Sequence, residues 1–113
     1  MIKATISISS NGNPVKVKIK GHAASGEYGH DVMCAAVSTL SINFINSLEA
    51  LAAYIPKYHI NDITGGEMTI DFSNFDTSSN REIIQLLFES FLLGMSKLSE
   101  DSPEYVKTSI MTN

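Results

Sequence analysis

Residues 2–9, Ile-Lys-Ala-Thr-Ile-Ser-Ile-Ser, alternate apolar and polar side chains, and residues 15–20, Val-Lys-Val-Lys-Ile-Lys, do so again. A period of two sends successive side chains to opposite faces, so each stretch predicts a half-buried strand. Between them, Ser10-Asn11-Gly12-Asn13-Pro14 supplies turn chemistry, with Asn-Gly offering the positive φ angles of a tight hairpin. Val15, Val17 and Ile19 fall on one face and the lysines on the other. The chain is thereby committed to a sheet with one apolar face, which its later segments must cover.

Those later segments read as two helices and two more strands. Residues 21–31 have no periodicity and three glycines, and read as a loop. From Val32 to about Ala53 the spacing turns helical, with Val37, Leu40, Phe44, Leu48 and Leu51 at steps of three and four. Asp31 stands where an N-cap belongs, and Pro56 closes the region. Residues 67–73 alternate again, placing Met68, Ile70 and Phe72 together. Ser79 and Glu82 form a capping-box spacing ahead of a helix that runs to about Leu98. Its register residues are Ile84, Leu87, Phe88, Phe91, Met95 and Leu98. Four further apolar residues, Ile83, Leu86, Leu92 and Leu93, exceed what one small sheet requires and point to a subunit interface or a second buried side. Residues 104–110 suggest a final strand. The order ββαβαβ predicts a single α+β domain over residues 1–113: a two-layer structure with a mostly antiparallel sheet packed by two helices.

Composition narrows the function. The chain has 113 residues, 43% hydrophobic and 18% charged, as expected of one ordinary core. Eight Lys and Arg against twelve Asp and Glu leave a formal charge of −4. No basic stripe runs along the sequence, so no direct nucleic-acid contact is expected. No apolar run approaches the roughly 20 residues of a membrane span and no leader opens the chain, so the expectation is a cytoplasmic protein without a membrane partner. A single cysteine excludes an internal disulfide and a multi-cysteine zinc site.

That cysteine, Cys34, is the first candidate for chemistry. Three residues after the expected cap, it would sit in the first helical turn, where partial positive charge favours a thiolate. A lone cysteine is equally a small buried hydrophobe. His22 follows the second strand, and a strand leading back into a helix can bring its imidazole to the thiol, the pairing that activates cysteine for attack. The alternative is a loop histidine without a partner. Gly21, Gly26 and Gly29 suit a flap, but their spacing matches no phosphate-binding loop. His22, His30, Asp31 and Cys34 could offer a metal mixed ligands, yet they contain no compact ligand pair of zinc spacing, and no cofactor is expected.

Taken together, Gly21-His22-Ala23, Gly26-Glu27-Tyr28-Gly29-His30-Asp31 and Val32-Met33-Cys34-Ala35-Ala36-Val37-Ser38 resemble the signature of the bacterial ribosomal-processing cysteine protease (Prp) family. Met33 stands where that family more often has a branched aliphatic residue. The resemblance implies an endopeptidase that removes the N-terminal extension of a large-subunit ribosomal protein, the one numbered twenty-seven, after paired aromatic residues. It also implies a homodimer. By position, Cys34 is implied as nucleophile, His22 as general base, Asp31 as assisting residue, and loop 23–30 as a flap. The oxyanion would be met by backbone N–H groups at the helix start, that of Cys34 among them. The competing readings are a non-catalytic assembly factor binding the same ribosomal protein and, third, a metal-dependent hydrolase.

Overall fold

The computed structural model describes residues 1–21, 28–61 and 66–113, with the side chains of 28–30 outside the description. The hairpin forms β1 (Ile2–Ile8) and β2 (Pro14–Lys20), paired antiparallel. Its turn is longer than a two-residue hairpin. Gly12 N–H donates to Ser9 O, Asn13 O accepts from Ser9 N–H, and only Gly12 has a positive φ, +82°. Asn11 is therefore not left-handed; one glycine after a type I turn does the work.

Helix α1 (Tyr28–Ala52) is followed by β3 (Lys57–Asn61), β4 (Glu67–Asp71), a short 3₁₀ turn at Phe75–Thr77, α2 (Arg81–Asp101) and β5 (Val106–Thr112). The sheet order is β3-β4-β2-β1-β5. Every pairing is antiparallel except β1 with β5. The two-layer α+β architecture is as expected, with one strand more. The additional strand is β3: an edge strand paired on one side leaves Lys57, Tyr58, His59 and Ile60 exposed, so no buried alternation marks it in the sequence.

One sheet face carries the core. Ile2, Ala4 and Ile6 of β1, Val17 and Ile19 of β2, Met68 and Ile70 of β4, and Val106 of β5 are all buried. The helices cover them with Val37, Phe44 and Leu48 from α1 and Ile84, Phe88, Phe91 and Met95 from α2. Phe44 stacks on Phe91 at 4.6 Å between ring centres, and Phe72 meets Phe88 edge-on at 5.8 Å. Leu51 departs from the expected register: it is exposed, and Ala52 takes the inward position.

The helix ends also differ from expectation. α1 starts at Tyr28, so Asp31 is not its cap but lies inside the first turn, where its charge suits the dipole. It stops before Pro56, at Ala53, whose φ of +50° lets Tyr54 N–H reach Leu48 O. The cap of α2 is Asn80 rather than Ser79. Asn80 makes no capping bond; its Nδ2 donates instead to Ala52 O at 2.8 Å, tying the start of α2 to the end of α1. Within α1, Asp31–Ala52 is long and apolar enough to cross a membrane by length and composition alone, contrary to expectation. Part of that apolarity supplies the stripe laid on the sheet, while Val32, Ile42 and Leu51 are exposed alongside Thr39 and Asn43.

Candidate active site

Cys34 lies on the inward face of α1 and is 2% exposed. Because α1 begins six residues before it, the thiol sits in the second turn and not the first. The fixed positive charge of a helix N-terminus fades over that distance, and the Cys34 N–H lies beyond the four amides left unpaired at a helix start. Neither thiolate stabilisation by the first turn nor the Cys34 amide as an oxyanion donor survives this geometry.

The thiol pKa is instead raised. Burial is the main cause, and the charge of Asp31 adds to it; the Met1 ammonium opposes them. Met1, Asp31 and Cys34 therefore share one electrostatic neighbourhood. Asp31 is half-buried, and its Oδ1 is buried without a hydrogen-bond partner among the described residues. A carboxylate oxygen in that condition is an acceptor awaiting a donor.

Gly21 ends β2 with φ +82°, a conformation few other residues adopt without strain. A Cβ built there would fall 2.5 Å from the Met1 carbonyl oxygen, so the close approach of the first residue also requires glycine. Its N–H donates to Gly66 O at 2.9 Å, joining the end of β2 to the start of β4. These contacts fix the residue immediately before His22. The part played by Met1 was not legible in the sequence, because the first residue meets Gly21 only once β1 pairs with β2.

Of the other sequence candidates, His22 and Gly26 lie outside the described residues. Gly29 and His30 belong, by backbone, to the first turn of α1, so the expected loop over 21–31 is shorter than supposed. Of the flap assigned to 23–30, residues 23–27 also lie outside the described residues.

The arrangement is an α+β domain with one thiol set into the sheet-facing side of its longest helix. A family model described as cysteine protease Prp matches residues 1–107. The ribosomal processing cysteine protease Prp of Staphylococcus aureus is 30% identical over 107 residues, covering 95% of this chain and 96% of its own. Its Bacillus subtilis counterpart is 29% identical over 101 residues, covering 89% of each. Among solved structures, a Streptococcus mutans protein superposes with a TM-score of 0.90 at 48% identity, over 100% of this chain and 99% of its own. The S. aureus protease in complex with a substrate peptide superposes at 0.76, with 26% identity over 97% and 99%. The chain belongs to the Prp family and is a cysteine protease.

Proposed function

We propose that this protease removes the N-terminal extension of large-subunit ribosomal protein twenty-seven, cleaving after an aromatic residue, with Cys34 as nucleophile and His22 as general base. One observation carries the assignment of the thiol: a cysteine protease needs a reactive sulfur, and this sequence contains one cysteine. The relatives, which are named for ribosomal processing and include an enzyme solved with a substrate peptide, support a polypeptide substrate of the ribosome.

In the proposed mechanism the resting thiol is protonated, in keeping with its raised pKa, so attack is coupled to proton removal. His22 takes the Sγ proton as sulfur bonds to the scissile carbonyl carbon. The imidazolium then protonates the departing amine as the C–N bond breaks, leaving an acyl-enzyme that water hydrolyses. Asp31, which lies one helical turn before Cys34 and whose Oδ1 has no hydrogen-bond partner among the described residues, assists by orienting that imidazole. We place the enzyme in the cytoplasm, as a homodimer. The exposed stripe Ile83, Leu86 and Leu93 on α2 is an apolar surface suited to pairing.

The single thiol makes a direct test possible. Iodoacetamide should abolish cleavage of the ribosomal precursor in proportion to Cys34 carbamidomethylation measured by mass. Full modification with retained cleavage contradicts the assignment.

A further inference from the structure

The charge that looks scattered along the sequence is sorted by the sheet. Strand register fixes which residues share the face turned away from the helices. One row across it reads Lys107, Lys3, Lys20, Glu67, Asn61; the next, Ser109, Thr5, Lys18, Thr69, His59; the third, Met111, Ser7, Lys16, Asp71, Lys57. Six of the seven lysines in the chain therefore stand on this face. Opposed by two carboxylates, they leave it at a formal +4, while the remaining residues of a chain of net −4 carry −8. The absence of a basic stripe in the linear sequence does not extend to the folded surface.

We propose that this open sheet face is an RNA-docking surface that reads the phosphate and ribose backbone. Strand spacing sets β5, which carries Lys107, about 19 Å across the sheet from β3, which carries Lys57, and alternate residues of β2 recur about every 6.6 Å along it, so six ammonium groups share a patch about 20 Å wide. Lysines at rows and edges, with hydroxyls of Thr5, Ser7, Thr69 and Ser109 between them, match phosphate oxygens and 2′-hydroxyls. The face has no Phe, Tyr or Trp on which bases would stack, so recognition runs through the backbone and is indifferent to sequence. Only the Lys18–Glu67 pair, at 3.7 Å, consumes any of its positive charge among the described residues. The acidic remainder does not cancel the attraction. The molecule is 21 Å through its thinnest dimension, and charge is screened over about 8 Å at physiological salt.

An RNA surface on the sheet's outer side leaves Cys34, on the inner side, clear to act on a polypeptide. This partner rests on the ribosomal reading above, but its test does not depend on cleavage. The probe is a fluorescein-labelled 20-base-pair RNA duplex of arbitrary sequence, titrated with the full chain by anisotropy at 50–200 mM KCl. Binding should weaken with salt with a log–log slope near −3 to −4, as expected for about four neutralised phosphates. K3Q/K20Q/K107Q should weaken binding at least tenfold and flatten the slope by about two, while K97Q, on α2, changes neither and short-peptide cleavage is unaltered. Lysine acetylation of the wild-type complex, read by mass, should show protection on the sheet face and none at Lys97, whether or not the triple variant folds. No binding at 50 mM KCl, equal binding by a folded triple variant, or preference for vesicles containing 30% phosphatidylserine over RNA would overturn the proposal. If RNA binds but the ribosomal precursor is not cut, the docking surface stands and the substrate assignment fails.

Discussion

Asp31 precedes Cys34 by one turn of α1, and its charge, added to the effect of burial, holds the thiol above its ordinary pKa. The relationship separates two quantities that are often taken as one. Removing the Asp31 charge should lower the thiol pKa, so Asp31→Asn is expected to react several-fold faster with iodoacetamide near pH 7.5 and to shift the alkylation profile to lower pH. Cleavage by the same variant should fall, because the residue proposed to orient His22 is lost. Slower alkylation, or cleavage that rises along with it, contradicts the roles given to Asp31.

Glycine substitutions at the two ends of β2 should part company. Gly12 and Gly21 both have φ +82°, but a Cβ at Gly12 meets nothing within 4 Å, whereas at Gly21 it meets the Met1 carbonyl at 2.5 Å. Gly12→Ala should cost about 1–2 kcal/mol, the ordinary penalty of a left-handed alanine, and leave cleavage intact. Gly21→Ala should cost more and lower kcat, since it displaces the backbone beside His22. Urea unfolding and peptide kinetics on the two variants provide the comparison.

The end of α1 offers a stabilising change. Ala53 takes the left-handed position that glycine usually fills at a helix terminus. Ala53→Gly should relieve that strain and raise stability by about 0.5–1 kcal/mol net of its unfolded-state entropy, seen as a higher Tm.

Alkaline stability should depend on Tyr54. Burial, with the charge of Asp71, pushes its phenol up to about 12, and the hydroxyl donates to Asn74 Oδ1. The folded state thus holds this proton more tightly than the unfolded chain, whose tyrosines ionise near 10. Its contribution is complete below pH 10 and is lost as pH rises from about 10 through 12. Tyr54→Phe should flatten that part of the stability curve, measured by urea midpoints against pH.

The dimer proposed above places Leu86 and Leu93, 69% and 62% exposed, at a contact between copies. Leu86→Glu with Leu93→Glu should yield monomers in sedimentation without loss of helix content. A dimer unaffected by both changes moves the interface elsewhere.

Much of this was legible in the residues. Alternation gave β1, β2 and β4, because their inner residues are buried to within a few per cent. It missed β3, whose residues face solvent at the sheet edge. Helical spacing gave α1 and α2 but misplaced their starts, since Tyr28-Gly29-His30 carries no apolar period and Asn80 spends its side chain on Ala52. The site motif singles out Cys34 as the residue to weigh, yet the expected thiolate depended on the first turn, and four extra helical residues, 28–31, carry Cys34 past it. The lysine face was visible only in part, as Lys16, Lys18 and Lys20; Lys3, Lys57 and Lys107 join it through strand register, which sequence order does not reveal.

The central claim is chemical, and the most direct measurement of it is the intact mass of the precursor of ribosomal protein twenty-seven after incubation with the protein and with Cys34→Ala. The account predicts one truncation, after an aromatic residue, with the wild type and an unchanged mass with a variant that melts cooperatively. An unchanged precursor with reduced, folded wild type, or truncation by Cys34→Ala, would contradict it.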